Sequence, residues 1–263
     1  MPYSPLVNHL IKETGLYPYI QPETSAWNDR YVYEAFKVDV GRGEERTLHR
    51  EQSHLLKKII DGESVAVSAP TSFGKSFIID AFIALNKPNN VVIIVPTIAL
   101  TDETRRRLYK KFSDKYKIIT TTEVDLMEKN IFIFPQERAL NYIDKIETID
   151  LLIVDEFYKA STSFDKERSS SLIRAIMKLG DIAKQRYYLA PNIKEIKSNP
   201  FTKDMSFMEV LCFNTVYLEK YKLYDDINRN EGKKGEALLK ILDESKGKTL
   251  IYAGTYADID RIA

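Results

Sequence analysis

From Val65 onward the chain alternates between short unbroken runs of Val, Ile and Leu and longer stretches in which apolar residues return every three or four positions. The runs predict strands at Val65–Ala69, Val91–Val95, Lys117–Thr121, Ile131–Phe134, Leu151–Asp155 and Tyr187–Ala190. The stretches between them predict helices at Lys75–Leu85, Ala99–Phe112, Gln136–Ile143 and Ser169–Leu179. An earlier helix, marked by Leu48, Leu55, Leu56, Ile59 and Ile60, closes at the Asp61-Gly62 stop signal. Strands that are apolar on both sides and separated by helices belong in a mainly parallel sheet covered on both faces, which makes the fold class α/β. Ligands of such sheets sit at the carboxyl ends of the strands.

The two ends of the chain read differently. Before residue 46, Pro18 and Pro22 are interspersed with Tyr17, Tyr19, Trp27, Tyr31, Tyr33 and Phe36, which predicts a small accessory segment of short elements packed on the main domain. Past Tyr187–Ala190 come a predicted strand at Thr215–Leu218, a helix at Gly235–Glu244 and an apolar strand within Lys248–Gly254.

Composition narrows the class. With 263 residues, 44% of them hydrophobic and 29% charged, the chain buries a sizeable core. The 39 basic and 38 acidic residues leave a net charge of +1, so any contact with a polyanion must come from a local surface. One cysteine, Cys212, rules out an internal disulfide, and three scattered histidines make no zinc pattern. Apolar runs such as Val91–Val95 fall far short of a membrane helix, and the N-terminus lacks the layout of a signal peptide. A reducing cytoplasm is the expected compartment, with no membrane partner.

Two segments carry chemistry. Ala69-Pro70-Thr71-Ser72-Phe73-Gly74-Lys75-Ser76 falls on a strand-to-helix turn, where backbone N–H groups and the helix dipole favour an anion. Lys75 is placed to neutralise phosphate, and the Ser76 hydroxyl to ligate Mg²⁺. Leu151-Leu152-Ile153-Val154-Asp155-Glu156-Phe157-Tyr158 is a buried strand ending in two carboxylates. Asp155 can hold the metal there while Glu156 polarises a water. Together they specify nucleotide hydrolysis.

On these motifs the chain resembles the first RecA-like domain of superfamily 2 helicases and translocases of the DExH kind, whose phosphate loop takes the form Ala-x-Thr-x-x-Gly-Lys-Ser. The resemblance implies a RecA-like P-loop NTPase fold, ATP and Mg²⁺ as cofactors, and a cofactor site made of Thr71, Ser72, Phe73, Gly74, Lys75 and Ser76. It implies catalysis by Glu156, Asp155 and Lys75, with the metal on Ser76 and, directly or through water, on Asp155. Gln52 matches the glutamine that reads adenine in this family, and Phe36 is the candidate for stacking on the base, with Tyr33 behind it. Contacts to a nucleic-acid backbone fall on Thr97, on Thr120, Thr121 and Thr122, and on Arg138, for which a surface salt bridge is an equal reading. The Arg105-Arg106-Arg107 run reads as a solvated helix face or as weak support for such contacts.

The resemblance divides the chain into an accessory segment at 1–45, the first RecA-like domain at 46–220, and a linker with the start of a second RecA-like domain at 221–263. The strand in 248–254 could instead extend the first sheet. In this family the second domain supplies the arginines that stabilise the transition state, so the chain is expected to be part of a longer motor. Three departures stand out. Pro135 replaces a threonine before Arg138. Tyr158 stands where relatives have His or Asp. Leu189-Ala190-Pro191 replaces a Ser-Ala-Thr motif, with Asn192 a possible substitute. The expected function is an ATP-dependent motor on nucleic acid, DNA favoured over RNA, in prokaryotic DNA repair or phage defence; motors of this kind also include RNA-remodelling enzymes, restriction translocases and Hachiman-type phage-defence helicases, and the fold does not choose among them. A small-molecule P-loop kinase and a catalytically silent nucleic-acid scaffold are the alternatives.

Overall fold

The computed structural model describes residues 2–191, 193–196, 199–211, 222–227, 230–245 and 251. The chain divides into two compact units, residues 1–215 and 216–263. The strand expected at Thr215–Leu218, Asn192, and all but Ile251 of the Lys248–Gly254 strand lie outside the described residues.

The first unit opens with α1 (Pro5–Glu13), α2 (Trp27–Ala35) and a two-stranded antiparallel hairpin of β1 (Lys37–Asp39) and β2 (Glu45–Thr47). Polar anchors hold this segment together. Asn8, fully buried, accepts from Gln21 N–H at 2.9 Å and donates to Thr24 Oγ1 at 3.1 Å. Asp29, 1% exposed on α2, meets Lys12 of α1 at 3.1 Å.

Next come α3 (Arg50–Ile60), β3 (Val65–Ser68), α4 (Lys75–Asn86), β4 (Asn90–Ile94), α5 (Ile98–Phe112), β5 (Lys117–Ile119), β6 (Asn130–Phe134), α6 (Gln136–Tyr142), β7 (Leu151–Val154), α7 (Ser169–Asp181), β8 (Arg186–Ala190) and β9 (Ser206–Glu209). The seven strands from β3 onward form one all-parallel sheet in the order β5-β6-β4-β7-β8-β3-β9. This is the α/β RecA-like fold expected from the sequence.

Alternation along each strand divides the core in two. Val65, Val67, Val91, Ile93, Ile131, Ile133, Leu151 and Ile153 pack with α3, α4 and α5 on one face, through Leu55, Ile59, Ile78, Ile83 and Leu108. Their neighbours Ala66, Val92, Ile94, Phe132, Phe134, Leu152 and Val154 pack with α6 and α7 on the other, through Ala139, Tyr142, Leu172 and Ile176. The second unit contributes α8 (Tyr224–Ile227) and α9 (Glu231–Glu244), the latter capped by Asn230 Oδ1, which accepts from Gly232 and Lys233 N–H. None of the helices, among the described residues, is long and apolar enough to cross a membrane.

The structure corrects the sequence reading at two strands. β5 ends at Ile119, not Thr121, because the Thr120 carbonyl accepts a side-chain hydrogen bond from Arg138 Nη1 at 2.5 Å and the chain leaves the sheet there. β9, paired in parallel with β3, was not foreseen: an edge strand carrying Ser206 and Glu209, and buried only in part, lacks the apolar run that marks the central strands.

His49 precedes α3, 9% exposed, and meets Phe73 edge-on at 6.0 Å between ring centroids. Burial pulls its pKa down to about 4. A base whose folded pKa lies below its unfolded value takes up its proton preferentially in the unfolded chain. The stability present at pH 7 is therefore lost as pH falls through about 6.5 towards about 4. Urea unfolding at pH 7 and pH 5 should show a loss of roughly 2 kcal/mol that disappears in His49→Ser. An equal loss in both proteins would assign the acid sensitivity to other groups.

Candidate functional site

The loop between β3 and α4 is shaped by a glycine and an amide. Gly74 takes φ +76°, and a Cβ there would lie 2.8 Å from Gln52 Nε2 and 2.9 Å from Phe77 Cδ2, so both backbone and space demand glycine. Gln52, buried on the first turn of α3, donates from Nε2 to the Phe73 carbonyl at 2.6 Å and accepts from His49 N–H at Oε1 at 3.0 Å. The loop then enters α4 at Lys75, with the Ser76 side chain half-buried on the first turn. Lys75 Nζ donates to the carbonyls of Ala69 at 2.8 Å and Pro70 at 3.2 Å. Burial lowers its pKa, and Asp155 and Glu156 work against that shift.

β7 brings the carboxylates to the same end of the sheet. Asp155 N–H donates to the Ile94 carbonyl of β4 at 2.9 Å, which extends the ladder to the start of the acidic turn. Glu156 then adopts φ +51°, a left-handed conformation uncommon for a residue with a side chain, and its N–H donates to Asp155 Oδ1 at 2.9 Å. Glu156 pairs with Lys159 at 2.5 Å. Burial raises the pKa of Asp155, which favours a compensating cation beside it.

A cavity of about 380 Å³ opens over these groups, lined by Thr71, Gly74, Lys75 and Ser76 of the loop, by Asp155 and Glu156, and by Leu189 and Pro191 after β8. Thus the positions lacking the expected hydroxyls do border the site. Glu103, Thr104 and Arg107 of α5 line it too. Arg107 reaches Asp80 of α4, 1% exposed, and donates to the Ser76 carbonyl at 3.3 Å, while Lys111 meets the other Asp80 oxygen at 3.0 Å. Of the arginine run, Arg105 and Arg106 pair with Asp102, and only Arg107 turns into the site. The available sign was spacing: Arg107 and Lys111 each stand one residue before the buried Leu108 and Phe112.

The donor set suits a nucleotide phosphate with a divalent cation. It offers a loop ammonium and a helix N-terminus for the anion, and a hydroxyl and a carboxylate for the metal. Among the described residues no three His, Cys, Asp or Glu side chains form a metal cage, and Mg²⁺ in phosphate sites is held by one or two protein carboxylates plus phosphate and water. The candidates for the base are not brought to this cavity. Phe36 packs on Tyr17 with centroids 4.4 Å apart, and Tyr33 lies beneath Lys37 Nζ at 5.2 Å. Tyr158 lines a separate cavity of about 450 Å³ with Phe157, Phe164 and Ile196.

The candidate backbone contacts occupy the loops after β4 and β5. Thr97 is exposed and caps α5, its Oγ1 accepting from Leu100 N–H at 3.2 Å. Thr121, Thr122 and Arg138 line a third cavity of about 420 Å³ together with Glu123. The Thr122 carbonyl accepts from Lys145 Nζ at 3.1 Å.

An all-parallel sheet with a glycine-lysine-serine loop after β3 and paired carboxylates after β7 is the arrangement of a RecA-like domain. The DEAD/DEAH box helicase domain matches residues 49–190, and the chain belongs to that family. Residues 1–30 match the anti-bacteriophage protein B N-terminal domain. Over 261 residues the chain is 31% identical to the anti-bacteriophage protein B of Escherichia coli (strain K12), covering 95% of this chain and 35% of that protein. It therefore spans about a third of that relative's length. The crystal structure of the DUF1998 helicase MrfA superposes with a TM-score of 0.54 at 15% identity, covering 89% of this chain and 39% of that one. That likeness supports the fold.

Gly74→Ala tests the loop. Its strained φ and the contact with Gln52 should lower stability by about 1–3 kcal/mol in urea unfolding and weaken any phosphate ligand of the loop. Unchanged stability would mean that the loop is not held as described.

Proposed function

We propose that the chain is the first ATPase domain of an ATP-dependent motor that moves on or unwinds nucleic acid, with DNA favoured over RNA. The observation carrying this reading is the convergence of Lys75, Ser76, Asp155 and Glu156 on one cavity at the carboxyl ends of β3 and β7, in a chain of the DEAD/DEAH box helicase family. Family membership also counts against the small-molecule kinase.

ATP would be held by Thr71–Ser76, with Gln52 fixing the loop from behind and Mg²⁺ on Ser76 and Asp155. The bound nucleotide supplies a phosphoanhydride for hydrolysis. Lys75 would exchange the Ala69 and Pro70 carbonyls for phosphate oxygens. Glu156 would orient the attacking water and accept its proton, with Lys159 holding the carboxylate in place. Thr97, Thr120–Thr122 and Arg138 would contact the nucleic-acid backbone without reading sequence.

Within this reading residues 1–45 are an accessory segment, 46–220 the first motor domain, and 221–263 a linker and the start of a second RecA-like domain that supplies arginines. Similarity to a protein named for action against bacteriophage supports a role in phage defence, and the cytoplasm is the compartment proposed for it.

Lys75→Ala should abolish tight binding of ATP-Mg in calorimetry while melting stays unchanged; undiminished affinity would remove the loop from the mechanism. Glu156→Gln should keep nucleotide and nucleic acid but lose turnover by at least ~10²-fold, since the amide preserves shape and cannot take a proton. Normal turnover in that variant would reassign the catalytic carboxylate.

A further inference from the structure

Arg168 lies just before α7, outside every motif that the sequence marks, yet its guanidinium holds two of the loops named above. Nε and Nη2 donate to the two carboxylate oxygens of Glu137 at 2.8 and 3.0 Å, and Nη1 donates to the Pro96 carbonyl at 2.7 Å. Pro96 directly precedes Thr97. Glu137 directly precedes Arg138, which in turn holds the Thr120 carbonyl. Arg168 is itself anchored through its backbone. Its N–H donates to Asp165 Oδ1 at 2.8 Å, its carbonyl accepts from Gln136 Nε2 at 3.4 Å, and Asp165 N–H donates to the Ser161 carbonyl next to the acidic turn.

The Glu137–Arg168 pair is too exposed to account for the fold, with side-chain exposures of 50% and 38%, and ion pairs this wet add little stability. What a planar three-donor fork supplies is geometry: it fixes two separate segments at one spacing, which an ammonium cannot do.

The geometry points to Arg168 as a positioning residue for nucleic acid: it sets the spacing between the Thr97 loop and the Thr120–Arg138 cluster so that both meet one backbone, without touching the backbone itself. This rests on the nucleic-acid role proposed above.

The test uses the full chain and the anisotropy of a labelled single-stranded oligonucleotide across a salt series, with melting recorded for each variant. Arg168→Ala should weaken binding roughly tenfold with melting unchanged. Its salt slope should match that of the unmutated protein, because no phosphate contact is lost. Arg168→Lys should weaken binding about as much, since it keeps the charge and loses the fork. Arg138→Ala should lower the slope by about one.

Failure of the unmutated protein to bind any oligonucleotide would overturn the nucleic-acid reading itself. Tight binding by both Arg168 variants, while Thr97→Ala and Arg138→Ala weaken it, would overturn the positioning role alone. So would a slope reduced by one in Arg168→Ala, which would make Arg168 a phosphate contact. If Arg168→Ala melts early, Arg168→Lys carries the comparison, and early melting of both would make the role structural and overturn the inference.

Discussion

Gln52 uses both ends of its amide at once, accepting from the His49 N–H and donating to the Phe73 carbonyl, so the start of α3 and the phosphate loop behave as one body. A buried amide is tolerable only when both ends are paired, which makes the arrangement all-or-none. Gly74 has to lack a side chain for the amide to lie where it does, and Phe73 has to be fully buried beneath His49. From that fixed point α4 begins, and its first two residues are Lys75 and Ser76. The amide thus holds the loop from which the first turn of α4 sets out, while the ammonium itself is directed by the Ala69 and Pro70 carbonyls.

The fold was legible because the central strands are apolar without interruption, the signature of burial on both faces. The four groups of the candidate site that line one cavity were legible because each pair is contiguous: Lys75 with Ser76, Asp155 with Glu156. What could not be read were partners brought together by the fold. Arg107 with Asp80 and Arg168 with Glu137 and Pro96 are fixed by how α5 packs on α4 and how α7 starts beside α6, and local spacing names the partner in neither case. Gln52 shows the same limit from the other side. Its position was found from sequence, while its bonds to the loop and to His49 became visible only in the structure.

The charge at Asp80 has a consequence for α5. A carboxylate 1% exposed is tenable only with a cation in place, so Arg107 and Lys111 fix α5 against α4, and removing both would strand a buried charge. The same helix begins at Thr97, whose hydroxyl accepts from Leu100 N–H and keeps its own proton free to donate. Thr97 and the Ser76 carbonyl are thereby joined through one 15-residue helix, with Arg107 bordering the cavity.

The missing hydroxyls after β8 can be weighed in the same way. Leu189 and Pro191 present apolar surface to the cavity at the two positions where the sequence resemblance implied hydroxyls. It is nevertheless tied to the loop. Ser68, the last residue of β3 and 2% exposed, accepts from Ile193 N–H at 2.8 Å, and the Ala190 carbonyl accepts from Ala69 N–H at 3.0 Å. The segment is thus bonded to residues 68 and 69, immediately before the turn that carries Lys75. A shift of that turn would reach the segment through backbone and one serine, with no hydroxyl needed at Leu189 or Pro191.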